Sequence, residues 1–552
     1  MNSQHELHCA LSGGDQTIDS ALWTPSFDLQ SAQTTVGAAA TEATWVISAE
    51  QCGQTASVEV VPQAGDSTLP TVRTTISIPC VITVDGNCSL ANAIRSAEGI
   101  DQVEESTDTD GNDDCEAGAA PDETASPPAT GDDIILLTTN VTLAAALPSI
   151  TSAIHIDGGG HTVSGDGQYQ VLNADGSQLS ISDLTITKGL SANEGGGIYV
   201  SGGSLHISDS IVMNSGASDV GGGIYAIDSD VDIADTEISG NMTIKSHGGG
   251  IYFISSTGLN TFDVVGATFK KNMATEDGGA IKTAGGIVTI DKSTYVENEA
   301  DEGGAIESSQ TTLDITNSTF SNNSAREGGG LSSFSSFVTL THTTWAYNSA
   351  AEQGGGIAII GWTGNFKIRN TLITDSASGD DCHSGPNPDI MLEFTGNFIQ
   401  DGSCTPEPAE SQAVASEGGV IEAEAQHDDE DDPIEIIPAG INALSANPPH
   451  HPLQLGSPAI DNADPAYCLL DDQPQTARPQ YGNCDIGAYE YPKPPDPTPD
   501  PPDQPDTPDT PDPPDQPDPP DTPASPVPNF CPVNDRIIVK APGQDVDCVE
   551  ID

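Results

Sequence analysis

A glycine-rich unit that returns every 25 to 30 residues constrains this chain more than any other feature. Each copy places two glycines before a glycine or alanine and an aliphatic residue, and the seven copies end at Ile198, Ile224, Ile251, Ile281, Ile306, Leu331 and Ile357. A second motif, an apolar residue followed three positions later by asparagine, recurs at Ile211/Asn214, Ile238/Asn241, Phe269/Asn272, Tyr295/Asn298, Phe320/Asn323 and Trp345/Asn348. Two motifs that keep step over six copies indicate a repeat architecture.

Between the glycine pairs, short runs such as SLHIS and TTLDITNSTF alternate apolar and polar residues. A period of two is typical of β-strands, and each unit is too short to contain a helical crossover. One coil of a parallel β-helix has this size, and successive coils stack at the strand spacing of ~4.8 Å. We therefore predict an all-β solenoid of about ten coils, with small flanking β segments. Inward aliphatic residues should form columns, and the repeated asparagines should form a hydrogen-bonded ladder.

The residue after each repeated aliphatic residue should point outward, because side chains alternate along a strand. Down the stack these residues are Tyr199, Tyr225, Tyr252, Lys282, Glu307, Ser332 and Ala358. The three tyrosines predict a structural aromatic ladder, which we favour, or a ligand-binding platform on which sugar rings stack. Lys282 and Glu307 are expected to form a surface salt bridge rather than an acid/base pair.

A column of acidic residues precedes the glycines, at Glu194, Asp219, Asp277, Glu302, Glu327 and Glu352. Carboxylates stacked one coil apart repel one another unless a cation lies between them. Asp277, Glu302 and Glu327 are therefore candidate calcium ligands, although a solvated acidic edge is the favoured interpretation. No other cofactor is expected, and no catalytic residue is assigned.

The overall charge limits which classes of molecule can bind the protein. The 552 residues include 83 acidic and 15 basic side chains, which gives a formal net charge of −68. Such a charge repels phosphate backbones and anionic lipid heads, so it argues against nucleic-acid binding and docking on a membrane surface. The sequence has no run of ~18 uncharged apolar residues, so no transmembrane segment is expected.

Eleven cysteines lie mostly in loop-like sequence and lack the CxxC spacing of zinc and redox sites. We predict disulfide bonds that join Cys52 to Cys80, Cys88 to Cys115, Cys382 to Cys404, Cys468 to Cys484 and Cys531 to Cys548. Oxidised cysteines predict an exported protein, although no signal peptide is visible in the first residues.

Motifs on both sides of the repeats resemble known families. Asp85 to Gly99 (DGNCSLANAIRSAEG) resembles the CSLREA motif but lacks its Arg-Glu pair. Gly456 to Tyr491 resembles the choice-of-anchor Q domain in its SPAID, DQ, RP and CDIGA elements. The repeats are similar to those of polymorphic outer membrane proteins. These resemblances imply a right-handed, pectate-lyase-like parallel β-helix on a bacterial surface, with a short helix that caps its first coil, and they name no chemistry.

The predicted domain organisation has seven segments. They are an N-terminal β-rich segment (1–84), the CSLREA-like cap (85–130), the β-helix repeats (131–404), an acidic loop (405–449), the choice-of-anchor Q-like C-terminal cap (450–491), a disordered Pro/Asp-rich linker (492–528) and a short C-terminal unit (529–552).

We interpret the chain as a secreted or cell-surface protein with an adhesive or structural role and no catalytic activity. Its expected partners are extracellular glycans or surface proteins, and we expect a monomer. The alternative is a carbohydrate-active enzyme, a polysaccharide lyase or glycoside hydrolase, because parallel β-helices also carry such enzymes. No GxSxG or HExxH motif occurs in the sequence, and a fold alone does not establish an activity.

Overall fold

Parallel strands stacked in register form the body of the protein in a computed structural model. The structure describes residues 5–10, 20–25, 42–47, 55–64, 67–68, 72–77, 81–85, 88–98, 133–385, 390–404, 421–422, 438–445, 448–480 and 482–492. The repeats build a right-handed parallel β-helix, as predicted, because each unit supplies one strand to each of three long sheets.

The three sheets differ in length. Sheet 1 has 12 strands: Val81–Val84, Asp133–Leu137, Ile154–Asp157, Gln178–Ser182, Ser204–Ser208, Asp230–Ala234, Thr261–Val265, Ile287–Asp291, Thr312–Thr316, Phe337–Thr341, Gly364–Arg369 and Ile390–Thr395. Sheet 2 has 12 strands: Val141–Thr142, Thr162–Ser164, Thr185–Thr187, Ile211–Met213, Glu237–Ser239, Thr268–Lys270, Thr294–Val296, Thr319–Ser321, Thr344–Ala346, Leu372–Thr374, Phe398–Ile399 and Ile421–Glu422. Sheet 3 has nine strands: Leu172–Asp175, Ile198–Ser201, Ile224–Ile227, Ile251–Ile254, Ile281–Ala284, Ile306–Ser309, Leu331–Phe334, Ile357–Ile360 and Cys382–Ser384.

Shorter strands complete the architecture. At the turn between sheets 2 and 3, Leu190–Ser191, Gly216–Ala217 and Met242–Thr243 pair with one another, as do Ser324–Glu327 and Ser349–Gln353. Near the N-terminus the strands pair antiparallel: His5–Ala10 with Glu42–Ile47, and Thr55–Ala64 with Ser20–Pro25, Ser67–Thr68 and Val72–Ser77. A 3₁₀ turn covers Pro465–Tyr467.

The predicted interior columns are present. The aliphatic residue of every glycine unit from Ile198 to Ile357 is fully buried. In sheet 2, Phe269, Tyr295, Phe320 and Trp345 form a stack of nearly parallel rings, with centroids 4.7, 4.6 and 3.7 Å apart. Each strand adds apolar residues to columns that run through successive coils, and these columns bury the surface that stabilises a thin solenoid.

The glycine pair of each unit is needed for two different reasons, which the copy at Gly303 and Gly304 illustrates. Gly303 has φ +63°, a left-handed conformation that disfavours side chains. A Cβ on Gly304 would lie 2.3 Å from the carbonyl oxygen of Gly329 in the next coil. Gly303 therefore allows the conformation of the turn, and Gly304 allows the next coil to approach.

The predicted asparagine ladder is confirmed for Asn241, Asn272, Asn298, Asn323 and Asn348, which are all fully buried. Each side-chain amide donates to the Oδ1 of the next asparagine at 2.9–3.1 Å, up to Asn348. The first predicted pair, Ile211/Asn214, was wrong by one residue. Val212 faces the interior in that coil, and the backbone N–H of Ser215 donates to Asn241.

A short helix, Leu90–Ala97, covers the first coil, as the CSLREA-like motif implied. Ser89 caps it by accepting the N–H of Asn92 at 3.3 Å, and Leu90, Ala93 and Ile94 are buried against the solenoid core. The first strand of sheet 1 is Val81–Val84, so the solenoid begins ahead of this helix, within the segment assigned to residues 1–84.

Residues 438–492, which we call the flank segment, run along the side of sheet 2. Ala439, Ile441, Leu453 and Ile486 share a second hydrophobic cluster with Leu372 and Phe398 of the solenoid. We expected a cap on the end of the coil stack. The segment instead spans the sides of several coils, because threonines and apolar residues face outward there and need a cover.

Gln473 and Arg478 of the predicted motif hold the flank segment in place. The Gln473 amide donates to the Thr294 hydroxyl at 2.8 Å and accepts the Thr319 hydroxyl at 2.6 Å, so it bridges two coils. Arg478 is buried and donates to the carbonyl oxygens of Asp485 and Gly487. Gln473 therefore attaches the flank segment to sheet 2, and Arg478 holds together the backbone of the segment itself.

Candidate functional site

The outward column of sheet 3 is the best candidate for a binding surface. Strand register places these residues one above another, as predicted: Tyr199, Tyr225, Tyr252, Lys282, Glu307, Ser332 and Ala358. The column divides chemically into an aromatic part and a charged part. We call Tyr199, Tyr225 and Tyr252 the tyrosine strip.

The rings of the tyrosine strip are close but not flat. Neighbouring centroids are 5.5 and 5.6 Å apart, and the ring planes are tilted by 35° and 53°. The interior aromatic stack of sheet 2 is nearly parallel by comparison. Tilting turns part of each ring face away from its neighbour, so a ring that is exposed can offer an edge and a hydroxyl group to a ligand. Tyr225 is only 7% exposed, while Tyr199 and Tyr252 are partly exposed.

Next to the strip, four titratable side chains form a charged network: His247, Asp277, Lys282 and Glu307. The His247 ring lies 5.9 Å from that of Tyr252, and its Nδ1 is 3.0 Å from Asp277. The Lys282 ammonium is 3.1 Å from Asp277 and makes a second ion pair with Glu307. The network therefore joins three coils and begins where the aromatic column ends.

The predicted salt bridge between Lys282 and Glu307 is formed, but its predicted location on the surface was wrong. The two residues are only 7% and 3% exposed, because residues one coil above and below, together with Asp277 beside them, enclose both side chains. Burial raises the pKa of the Glu307 carboxyl to about 7, although the Lys282 ammonium opposes this shift. Burial also tends to lower the pKa of Lys282, but the carboxylates of Glu307 and Asp277 raise it above its ordinary value.

The acidic column stacks as predicted at Asp277, Glu302 and Glu327, which pair through backbone bridges. Two other members were displaced by one residue. Val220 rather than Asp219 pairs with Glu194, and Gln353 rather than Glu352 pairs with Glu327. Val220 and Gln353 directly precede the glycines of their units, whereas Asp219 and Glu352 lie one position earlier in the sequence.

A protein cation lies within the acidic column. The Arg326 guanidinium contacts Glu302 and Glu352 at 2.9 Å and Asp301 at 3.2 Å, and it also pairs with Glu327. These carboxylates raise the pKa of Arg326, so its charge is permanent. Sequence reasoning missed this role, although an arginine next to an acidic column was a signal for it. Among the described residues, no group of histidine, cysteine or acidic side chains is arranged to hold a metal ion. Calcium at Asp277, Glu302 and Glu327 stays a prediction.

Two of the predicted disulfides are formed, Cys382–Cys404 and Cys468–Cys484. The first closes the last coils of the solenoid, and the second lies within the flank segment. Cys88 is also disulfide-bonded, but Cys115 lies outside the described residues, as do Cys52, Cys80, Cys531 and Cys548. Those three pairings stay predictions.

Comparison with known proteins supports the fold and leaves the activity open. A family model described as a right-handed β-helix region matches residues 196–399. No curated protein and no solved structure matches the chain. In the part of the chain that the structure describes, no helix is both long and apolar enough to cross a membrane.

Proposed function

We propose that this chain is an extracellular β-helix protein that binds glycans along the tyrosine strip and does not cleave them. The observation that carries this proposal is the column of three tyrosines on an outward face, with centroids 5.5 and 5.6 Å apart. This advance is close to the length of one unit in an extended hexose chain. Aromatic rings supply the apolar surface on which sugar rings pack, while hydroxyl groups bind sugar hydroxyls.

The location of the protein is part of the same proposal. Disulfides persist in oxidising compartments and are rare in reducing ones. The two bonds Cys382–Cys404 and Cys468–Cys484 therefore support export to the cell exterior. A rigid solenoid with an adhesive face, displayed on or released from a cell surface, fits these features.

The alternative is a carbohydrate-active enzyme, and the charged network is the observation that favours it. A carboxyl with a pKa near 7, such as that of Glu307, suits general acid catalysis. However, Glu307 is 3% exposed and its ion pair with Lys282 occupies it. A group so enclosed lacks the access to a glycosidic oxygen that proton transfer requires.

A glycan-binding assay and a turnover assay on the same panel of polysaccharides test both candidates. We expect oligosaccharide binding that Tyr199→Ala weakens about tenfold, the effect of removing one stacking contact. Phe337→Ala, which removes a 60% exposed aromatic residue on sheet 1, serves as the control and should leave binding unchanged.

Release of reducing or unsaturated sugars that disappears in Glu307→Gln would favour the enzyme instead. A protein that binds no member of the panel, or whose binding is equally weakened by both aromatic substitutions, would overturn glycan binding through the tyrosine strip.

A further inference from the structure

We infer that the tyrosine strip selects glycans that carry free amino groups, such as polymers of glucosamine, over neutral and uronate glycans. This inference rests on the proposed glycan-binding function and names its ligand class. It follows from the carboxylates that act on Tyr225 and from the ion pairs that already occupy the Lys282 ammonium beside Tyr252.

Two carboxylates act on the central ring, Tyr225. Burial raises the pKa of its phenol first, and the negative charges of Glu194 and Asp228 raise it further. Asp228 is held in place because the backbone N–H and the hydroxyl of Ser256 donate to its carboxylate at 2.7 and 3.0 Å. One of the two carboxylates is therefore fixed before a ligand arrives, which lowers the entropy cost of binding a cation there.

The second carboxylate, that of Glu194, is free to bind a ligand. Within the described part of the chain it has neither a hydrogen bond nor an ion pair from its side chain, and the residue is partly exposed. An ammonium group placed over a tyrosine ring and beside a free carboxylate gains both a cation–π contact and a charge-assisted hydrogen bond. A neutral sugar gains neither.

At the lower end of the strip the cationic side chain is already paired. Tyr252 adjoins the charged network, in which the single ammonium of Lys282 already contacts two carboxylates, Asp277 and Glu307. His247 contacts Glu276 and Asp277. No cation of this network remains to pair with the carboxylate of a uronic acid. A polyuronate would in addition be repelled by a chain of net charge −68.

The geometry favours an amino sugar over a simpler polycation. The column has one ring per coil, at spacings of 5.5 and 5.6 Å, so a hexose chain that advances one unit per coil brings amines to Tyr199 and Tyr252, the two partly exposed rings. Across the described residues the three tyrosine side chains have no protein hydrogen-bond partner, and Tyr199 and Tyr252, which are partly exposed, can bind sugar hydroxyls. A lysine peptide lacks both the sugar face and the hydroxyls.

The test compares four ligands by calorimetry at mildly acidic pH and constant ionic strength: a glucosamine hexamer, its fully N-acetylated form, a galacturonate hexamer and hexalysine. We expect the glucosamine hexamer to bind at least tenfold more tightly than each of the others. Glu194→Gln should weaken glucosamine binding about fivefold and leave binding of the acetylated hexamer unchanged. Glu237→Gln removes one exposed carboxylate from sheet 2 of the neighbouring coil and is the matched control, with no expected effect.

The outcomes separate the ligand class from the function. Equal affinity for the two glucosamine hexamers, with Tyr199→Ala weakening both, would preserve glycan binding and overturn the preference for amines. Equal losses in Glu194→Gln and Glu237→Gln, or hexalysine binding as tight as that of the sugar, would reduce the effect to net charge and also overturn it. No binding of any sugar would overturn both.

Discussion

At the residue scale, the outward column of sheet 3 contains side chains that point away from the core and are nevertheless shielded from solvent. Lys282 and Glu307 lie on the outer face of a strand and are nevertheless almost fully enclosed. A buried ion pair contributes little net stability, but removing one partner is costly because the other charge remains buried. The pair therefore makes the solenoid sensitive to pH at this position.

Glu307→Gln should change the pH dependence of unfolding. The pKa of Glu307 is raised from 4.5 to about 7 in the folded state, so the folded protein binds its proton more tightly. The resulting stabilisation is complete below pH ~4.5 and is lost as the pH rises through ~7, which amounts to ~3 kcal/mol. Urea unfolding across this range should show a free-energy difference between wild type and Glu307→Gln that falls with pH. A difference that stays constant would show that Glu307 titrates normally.

Asn298→Ala should destabilise the protein by ~2–4 kcal/mol, because it interrupts a buried ladder. The Asn298 amide donates to the Phe269 carbonyl at 3.0 Å and to Asn323 at 2.9 Å, while its Oδ1 accepts from Asn272. The substitution leaves these buried groups without partners. Asn193→Ala, at an exposed turn position, is the control and should change the unfolding free energy by less than ~0.5 kcal/mol. Similar losses in both variants would argue against a stabilising ladder.

At the same scale, the sequence predicts columns well and exact residues less well. The spacing of the glycine units places Tyr199, Tyr225 and Tyr252 in one line because parallel register allows no alternative. Asp219 and Asn214 were misplaced because each lies one position before the residue that the spacing of the other units assigns to its column, Val220 and Ser215. Burial of Lys282 was not predictable, because enclosure depends on neighbours that come from other coils.

At the element scale, the turns that precede the glycines at Gly303, Gly328 and Gly354 contain charges of both signs. Arg326 contacts four carboxylates that would otherwise repel one another down the stack. The acidic column thus has an internal cation where the sequence suggested a metal ion.

Arg326→Gln should lower the melting temperature and make it more responsive to calcium. The substitution leaves the stacked carboxylates uncompensated, at a cost of about 1 kcal/mol, and a divalent ion would then replace the guanidinium. Melting at matched ionic strength should show a larger gain with calcium than with magnesium, and a larger gain in the variant than in wild type. Glu302→Gln combined with Glu327→Gln should remove the calcium effect.

Lys271→Gln, which breaks a single exposed pair with Glu297, is the control for this experiment. Equal responses to calcium in wild type, Arg326→Gln and Lys271→Gln would mean that the column binds no cation beyond the arginine.

Arg478→Met should release the flank segment. Arg478 and Glu490 are both buried, and loss of the arginine leaves the Glu490 carboxylate without its cation, a change that costs ~3–5 kcal/mol. Limited proteolysis should then cut residues 438–492 while the coils stay resistant. Replacing Glu490 by Met as well should restore part of the protection. Unchanged protease resistance in the single variant would contradict this role of Arg478.

At the scale of the whole molecule, the fold was predictable because a repeated unit carries the same information many times. The motif in the flank segment identified residues with a defined role, but it did not predict which surface they cover. Their contacts with Thr294 and Thr319 span more than 150 residues of sequence, and no local pattern reports such contacts. The function is least predictable, because outward columns serve stability and binding with the same residue types.

Mass mapping of a non-reduced digest should recover Cys382–Cys404 and Cys468–Cys484, and the predicted pairs Cys88–Cys115, Cys52–Cys80 and Cys531–Cys548. Reduction should cost ~3 kcal/mol for each of the first two bonds, whose cysteines are 22 and 16 residues apart. Free thiols at Cys382 and Cys404 in protein exported to the medium would contradict the proposed extracellular location.

The flank segment also makes one part of the solenoid more resistant to tension than the other. In a solenoid each coil contacts only its neighbours, so tension on a chain end peels one coil at a time. The flank segment ties the coil of Thr294 to those of Thr319, Thr344 and Leu372, so these coils must be sheared together before any one of them can unwind. Among the described residues, no hydrogen bond joins the flank segment to the coils before that of Thr294, so we expect those coils to yield one by one. Under load, the coils before that of Thr294 should therefore unwind at a lower force than the coils that the flank segment joins.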